Sequence, residues 1–149
     1  MKYLIACLGN PLMGDDGVGL AVARELAKRG HEVVTCGPDL SSVLTKVDDI
    51  DLVIVVDAID LGAEPGSVFV LKLEDVDEVP ARSSHTLRAT RMLKTMMRVF
   101  RKPIDAYLVG VQPERVEPAT ELTPRVKSAI SEVVAKVEEL IMRTQEKKS

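Results

Sequence analysis

Residues 9–19, with the sequence GNPLMGDDGVG, decide the fold of this chain. They follow an apolar segment, Tyr3–Leu8, that is typical of a buried strand, and they lead into Val18–Leu26, whose pattern is that of a helix. A glycine-punctuated turn from strand to helix lies at the carboxyl edge of a parallel sheet, where α/β proteins bind their ligands. The turn carries two adjacent carboxylates, Asp15 and Asp16, which would repel a phosphate, so we expect a cation at this edge instead.

The size and charge of the chain exclude several classes of protein. Its 149 residues fit one domain, residues 1–149, which can bury about 68–70% of its extended surface without a disulfide or a metal. The 20 basic and 23 acidic residues give a net charge of −3, which is not the footprint of a nucleic-acid-binding protein. The apolar run Leu52–Val56 is too short to span a bilayer, and we expect no secretory signal. Cys7 and Cys36 lack CxxC spacing, so we expect reduced, buried thiols in a cytoplasmic protein.

Strand and helix patterns alternate along the chain and predict an α/β fold. The predicted strands are Lys2–Leu8, Glu32–Cys36, Leu52–Val56, Ser67–Leu73 and Ile104–Val109. The predicted helices are Asp16–Lys28, a short one at Asp39–Val47, Ser84–Phe100, and Thr123–Met142, which begins with Thr123 as N-cap and Pro124 in the first position. Glu74–Pro80 is expected to be irregular, and Thr144–Ser149 is expected to fray. This order predicts a doubly wound, mainly parallel five-stranded sheet with helices on both faces.

The fourth strand is expected to run antiparallel to its neighbour. Only about ten residues separate Leu52–Val56 from Ser67–Leu73. A parallel crossover needs about a dozen residues or more, usually in a helix.

Two segments carry carboxylates that would meet at the carboxyl edge of this sheet. Asp15 and Asp16 follow the first strand, and the alternative to a functional pair is helix capping, since a carboxylate near a helix N-terminus gains about 0.3–1 kcal/mol from the dipole. Asp57 directly follows the central strand, and its alternative is an Asx-turn at the strand exit. Asp60 is the better candidate for such a turn, and the pattern leaves these alternatives open.

One of the two histidines is a candidate metal ligand. His85 lies in Arg82–Thr86 at the start of a predicted helix, where the dipole favours the neutral imidazole; a surface histidine beside a serine or threonine cap is the alternative. His31, in a loop before the second strand, is expected to face solvent. Gln112–Glu114 follows the fifth strand and could line the site or form only a turn. The methionines of the third helix fall at core spacing, so we expect them to pack.

Asp16, Asp57 and His85 together would make an open metal site with three ligands. Two carboxylates about 4 Å apart repel by about 4 kcal/mol at an effective dielectric constant of about 20, so they need a shared proton or a divalent cation. Two oxygens and one imidazole nitrogen suit zinc or nickel and leave positions for water or substrate.

Four motifs, taken in order, resemble those of the nickel–iron hydrogenase maturation proteases. They are Gly9-Asn10 with Asp15–Gly19, Val56–Asp60 with Gly62 and Pro65-Gly66, Ser83–His85, and Gly110–Pro113. The resemblance spans nearly the whole chain. It implies a doubly wound α/β domain and an endopeptidase that removes a C-terminal extension from the hydrogenase large subunit after nickel insertion.

The resemblance also implies the site residues and their ligand. The metal-binding residues of the family fall on Asp16, Asp57 and His85, which would also be the catalytic residues of a metal-dependent, aspartic-type endopeptidase. The metal would be nickel supplied by the substrate, the precursor of the large subunit, with zinc or cadmium able to substitute. The aspartate at position 16 resembles the branch that serves hydrogenase-3-like enzymes. We expect a cytoplasmic monomer with no nucleic-acid partner and no membrane insertion.

Two other functions compete with this interpretation. A receiver-like signalling domain also has an acidic pair after strand one and an aspartate after strand three, which bind magnesium. It needs a lysine at the end of strand five, where this chain has Gly110–Gln112, and its acidic pair follows the strand more closely than residues 9–14 allow. A non-catalytic nickel carrier would use the same ligands as the protease, so only a cleavage assay separates the two.

Overall fold

The computed structural model describes residues 1–36, 49–78, 90–91, 94–95, 97–98 and 103–148. The strands are β1 (Tyr3–Leu8), β2 (Val33–Cys36), β3 (Leu52–Ala58), β4 (Val68–Lys72) and β5 (Asp105–Val111). The helices are α1 (Val18–Lys28), α2 (Pro124–Ser128) and α3 (Ile130–Lys148), with 3-10 turns at Gly14–Gly17 and Leu73–Glu78. The described residues between 90 and 98 are also helical. The predicted helix Asp39–Val47 and most of the predicted helix Ser84–Phe100 lie outside the described residues.

The strands form one mixed sheet in the order β2-β1-β3-β5-β4. The pairs β1–β2, β1–β3 and β3–β5 are parallel, whereas β4 runs antiparallel to β5 with Val68 opposite Val111. The short connection from β3 to β4 cannot hold a crossover helix, so the chain returns along the sheet in the opposite direction. The predicted sheet, including its antiparallel strand, is confirmed.

The central strand β3 is buried along its whole length, and its side chains alternate between two hydrophobic clusters. In the first cluster, Ile54 and Val56 pack with residues of α1 and α3. In the second cluster, on the opposite face, Val53 and Val55 pack with the 3-10 turn Leu73–Glu78 and with Met97. Helical segments therefore cover both faces of the sheet, as predicted.

The helices differ from the prediction at their ends. The chain takes a 3-10 turn at Gly14–Gly17 before α1 begins at Val18, so the first helix does not start at Asp16. The long C-terminal helix is divided at Ala129 into α2 and α3. The expectation that its end frays is wrong: α3 extends to Lys148, and the buried Thr144 donates a hydrogen bond from its hydroxyl to the Leu140 carbonyl at 2.8 Å.

Two other segments are more regular than predicted. The segment expected to be irregular, Glu74–Pro80, overlaps the 3-10 turn Leu73–Glu78, which is held because Leu73 and Val76 are buried in the second cluster. Strand β3 continues beyond Val56 to Ala58 because the matching residues of β5 extend to Val111 and pair with it.

Gly19 lets α1 lie directly against the ends of β1 and β3. A methyl group added at this position would overlap the carbonyl oxygen of Leu8 and lie 3.0 Å from that of Val56. Because both obstacles are backbone atoms of buried strands, they cannot move aside without shifting the strands. The first turn of α1, and with it the 3-10 turn that carries Asp16, is therefore held at the carboxyl ends of the two central strands.

We predict that Gly19→Ala lowers the free energy of unfolding by about 3 kcal/mol, the upper end for an overpacked site, although alanine is the better helix former by about 1 kcal/mol. Gly30→Ala is the control: its φ is 89° and nothing lies within 4 Å of the added methyl, so only the backbone cost of about 1 kcal/mol applies. Urea unfolding of both variants makes the comparison. Equal losses would contradict the close approach at Gly19.

Candidate active site

The strand order changes direction between β1 and β3, because β2 lies on one side of this pair and β5 on the other. The two strands are parallel neighbours with Cys7 opposite Val56, so their carboxyl ends lie side by side. Doubly wound proteins bind ligands in the crevice at such a switch point. The turn that carries Asp16 leaves β1 here, and Asp57 lies near the end of β3 at the same edge.

Asp57 lies within β3 and not beyond it, because the strand is longer than predicted. It is opposite Gly110 of β5, and it is 6% exposed. Its Oδ1 accepts a hydrogen bond from the backbone N–H of Ala58 at 2.7 Å. Side chains alternate along a strand, so Asp57 belongs to the same sheet face as Val53 and Val55. This carboxylate is a buried residue of the sheet edge.

Gln112 holds the loop that follows Asp57. It is 5% exposed, and its amide makes four hydrogen bonds. They join Oε1 to the N–H groups of Leu61 (2.8 Å) and Ala63 (3.2 Å), and Nε2 to Asp60 Oδ1 (2.9 Å) and the Pro113 carbonyl (3.2 Å). Asp60 Oδ1 also accepts from the Gly62 N–H at 3.0 Å, which is the Asx-turn predicted for it. The hydrogen-bonding capacity of Gln112 is thus used within the loop.

Asp15 is the buried member of the tandem pair, with 0% exposure. It accepts four hydrogen bonds: from the N–H groups of Glu114 (2.9 Å), Arg115 (2.9 Å) and Thr123 (2.7 Å), and from the Thr123 hydroxyl (2.8 Å). Burial by itself would raise the pKa of Asp15, but these bonds to the charged form, the Thr123 N–H first among them, outweigh burial and lower the pKa. Asp15 is therefore an anion that fastens residues 114–123 to the turn after β1.

Thr123 has a different role from the one predicted. It does occupy the N-cap position of α2 with Pro124 in the first turn, but its side chain makes no capping hydrogen bond. Its hydroxyl and its N–H both donate to Asp15 instead. No side-chain hydrogen bond caps α1 or the 3-10 turn before it, although both aspartates lie in the first turn of that segment, where the dipole favours a carboxylate.

Backbone hydrogen bonds extend the connection that Asp15 makes. The N–H of Gly14 donates to the Ala119 carbonyl at 2.9 Å, and the N–H of Ala119 donates to the Leu12 carbonyl at 3.0 Å. The N–H of Asp15 itself donates to the Arg115 carbonyl at 2.9 Å. The turn after β1 and the loop after β5 are therefore one hydrogen-bonded unit.

Asp16 has a different environment from Asp15. It is half-buried, and within the described part of the chain its carboxylate accepts one hydrogen bond, at Oδ2 from the Asn10 N–H at 3.1 Å. A carboxylate offers about four acceptor positions, so most of this capacity is left for a ligand. Of the two adjacent aspartates, Asp16 is the one that can bind a ligand without breaking the fold.

The third predicted ligand, His85, lies outside the described residues, together with Ser83 and Ser84. Among the residues that are described, no three His, Cys, Asp or Glu side chains form a group able to hold a metal ion. The described part of the predicted site consists of its two carboxylates, Asp16 and Asp57.

The expectation that His31 faces solvent is wrong. Its side chain is 15% exposed, with Nδ1 2.9 Å from the Tyr3 hydroxyl and Nε2 2.9 Å from Glu138 Oε2. Arg29 adds a hydrogen bond of 2.8 Å to the other oxygen of Glu138. Since Tyr3 begins β1, this cluster lies at the amino-terminal edge of the parallel strands, away from Asp16 and Asp57.

Comparison with known proteins shows the family to which the chain belongs. The family model HycI, described as hydrogenase maturation protease, matches residues 18–140. The chain belongs to the hydrogenase maturation protease family. It is 37% identical over 123 residues to protein FrxA of Pyrococcus furiosus, across 79% of this chain and 89% of FrxA. It is 27% identical over 143 residues to the hydrogenase 3 maturation protease of Escherichia coli, across 93% of this chain and 90% of that protein.

A solved structure of a related protein supports the assignment of this maturation protease to the family. The NiFe hydrogenase maturation protease HybD from Thermococcus kodakarensis matches with a TM-score of 0.84 and 30% identity, over 94% of this chain and 99% of HybD. The chain is therefore a hydrolase, an endopeptidase of hydrogenase maturation, and not a receiver-like domain. None of its described helices combines the length and the apolar character that crossing a membrane requires.

In this maturation protease, sequence reasoning missed the distant residues that hydrogen-bond to Asp15 and to Gln112. The bonds from Thr123 to Asp15 join residues 108 positions apart, and Gln112 reaches back 51 positions to Leu61. The one local signal was the tandem of acids, since two adjacent carboxylates in a turn are more than capping requires. The sequence did not show which of the two is structural.

We predict that Asp15→Asn lowers the free energy of unfolding by about 3 kcal/mol. The amide has the same shape, but its NH2 group cannot accept the buried N–H bonds that a carboxylate oxygen accepts, and each orphaned donor costs about 1–3 kcal/mol. Asp16→Asn is the matched control and should cost less than about 1 kcal/mol, because its single hydrogen bond is partly exposed. Chemical unfolding of both variants tests this, and similar losses would refute the assigned difference.

Proposed function

We propose that this maturation protease removes the C-terminal extension of a nickel–iron hydrogenase large subunit after nickel insertion. The observation that carries the proposal is the pair of carboxylates, Asp16 and Asp57, at the carboxyl ends of two neighbouring parallel strands. The carboxylate of Asp16 accepts one hydrogen bond from the described residues and has acceptor positions left for a ligand, whereas the carboxylate of Asp15 is used in hydrogen bonds that hold the fold. The family's role in hydrogenase maturation supports the class of substrate.

We assign three side chains to the nickel that arrives with the substrate: Asp16, Asp57 and His85. Two carboxylate oxygens and one imidazole nitrogen are a donor set that suits nickel and leaves positions for ligands from the substrate; zinc or cadmium would serve as substitutes. His85 is assigned from the family resemblance, through its place in Ser83–His85.

The proposed reaction is hydrolysis of one peptide bond by water. In one version, nickel carried by the substrate would position the scissile peptide and polarise its carbonyl group; in the other, the metal would serve for recognition only. Asp16 or Asp57 acts as the general base and takes a proton from the water as its oxygen attacks the carbonyl carbon. The proton passes to the leaving amine nitrogen as the C–N bond breaks, so the carboxylate is regenerated. This is the chemistry of an aspartic-type endopeptidase that depends on the metal in its substrate.

The remaining features of the proposal follow the resemblance stated above. The aspartate at position 16 supports a precursor of the hydrogenase-3-like type. We also propose that the protein acts as a monomer in the cytoplasm.

We predict that His85→Ala leaves the fold intact and abolishes processing of the nickel-loaded precursor, because the nickel in the substrate loses one of the three ligands that this protein supplies. The other histidine supplies the control. His31→Gln should keep full processing, since His31 belongs to the cluster with Tyr3 and Glu138. Cleavage is followed by the electrophoretic shift of the large subunit, and circular dichroism checks the fold. Retained cleavage by His85→Ala would remove His85 from the site.

We also predict that nickel-loaded precursor is cleaved at least about 100-fold faster than nickel-free precursor, a difference of about 2.7 kcal/mol in transition-state stabilisation. Parallel time courses with the two forms of the same precursor measure the ratio. Equal rates would show that nickel is not required. Transfer of nickel without any cleavage would identify a carrier and would contradict the protease.

A further inference from the structure

A groove with a volume of about 330 Å³ lies on the side of the active-site turn that the proposed chemistry does not use. One wall is the turn after β1, including Gly14 and Gly17, which flank Asp15 and Asp16. The other wall comes from residues 120–122 and from the beginning of the C-terminal helices. The groove therefore opens directly beside the segment that carries Asp16.

The groove combines an apolar floor with a basic rim. The floor is formed by the partly buried side chains of Leu20, Leu122 and Ile130. Arg24 and Lys127 are exposed at the rim, and Glu121 is the one acidic residue among the described residues that line the groove, so the charge of these lining residues is net positive.

The two rim cations differ from their neighbours in having no ion-pair partner among the described residues. Nearby cations are paired: Lys28 with Glu25 at 3.2 Å, Arg29 with Glu138 at 2.8 Å, and Arg125 with Glu64 at 3.5 Å. Arg24 and Lys127 make no such contact, so their charges remain available to a molecule that enters the groove. An apolar floor between two available cations complements an apolar side chain that is accompanied by a carboxylate.

We propose that this groove binds a short segment of the hydrogenase precursor in which an apolar side chain lies next to an acidic one. The inference rests on the proposed function, because it takes the precursor as the partner. The volume is at the lower end for a ligand site, about 300–1,000 Å³, so it holds a few side chains of an extended chain and not a folded domain. A chain that rises about 3.3 Å per residue can pass from the groove to Asp16 within a few residues.

The test is charge reversal at the rim in the Arg24→Glu/Lys127→Glu double variant, assayed with nickel-loaded large-subunit precursor. We expect KM and the precursor Kd to rise about 10-fold, with kcat changed less than about twofold, because the groove contributes binding and not chemistry. The thermal midpoint should stay at the wild-type value, since neither side chain has a partner in the described chain. The wild-type KM should also rise with ionic strength, and that dependence should be lost in the variant.

A second cleft offers a matched control. Lys72 and Lys147 line a cleft of about 490 Å³ at the amino-terminal edge of the parallel strands, where Asp105 and Glu146 also lie. Lys72→Glu/Lys147→Glu makes the same change in net charge and should leave KM and Kd unchanged. An equal rise in the control would mean that overall charge governs binding, which would overturn the groove.

The outcomes separate the groove from the proposed function. If the wild type binds the precursor without cleaving it, the proposed protease activity is contradicted. In that case, 10-fold weaker binding of the precursor by the rim variant still supports the groove. If the wild type cleaves and rim reversal changes neither KM nor Kd, the groove is overturned while the protease stands. A doubled mass in sedimentation that the rim variant reduces to a monomer would show that a second copy fills the groove and would also overturn the proposal. Absence of any precursor binding would overturn both.

Discussion

The geometry of the site depends on one buried carboxylate, that of Asp15. Its four hydrogen bonds join the turn after β1 to residues 114–123, which lead into α2. Each of these donors would cost about 1–3 kcal/mol if it were buried without an acceptor, so neither segment can relax without the other. Gly19 adds the second restraint, because its lack of a side chain lets α1 rest on the carbonyls of Leu8 and Val56. Asp16 lies between these two fixed points and takes its position from both.

Adjacent aspartates in this turn therefore have separate roles although they share one chemistry. In a 3-10 turn, with about three residues per turn, consecutive side chains point in directions about 120° apart, so Asp15 can face the loop after β5 while Asp16 faces the sheet edge. The buried carboxylate is stabilised as an anion by fixed donors and has no capacity left for a ligand. The half-buried one has a single described donor and remains available. The first aspartate supplies position, and the second supplies the candidate metal-binding oxygen.

Sequence reasoning succeeded where the physical cause is local and failed where the partners are distant. The short connection of about ten residues between the predicted strands Leu52–Val56 and Ser67–Leu73 predicted the antiparallel β4. The all-apolar run before Asp57 predicted a buried strand that delivers a carboxylate to the sheet edge. Thr123 was explained by a local rule for helix caps, yet its donors serve an acceptor 108 residues away. His31 was taken as exposed because it lies in a loop before the second strand, whereas Tyr3 and Glu138 contact it from distant parts of the chain.

On the proposed function, the separation of charges around the turn lets the site and the groove act on one substrate. On the proposed function, Asp16 and Asp57 converge at the sheet edge, where their repulsion would raise the free energy of the empty site and a divalent ion in the precursor would relieve it. A resident cation beside Asp16 would cancel this gain and remove the preference for a metal-bearing substrate. Arg24 and Lys127 lie on the groove side of the turn instead, and Arg115 is engaged with Glu117 at 3.3 Å. On the proposed function, the rim cations thus attract an acidic segment without neutralising the carboxylates that discriminate the loaded precursor from the empty one.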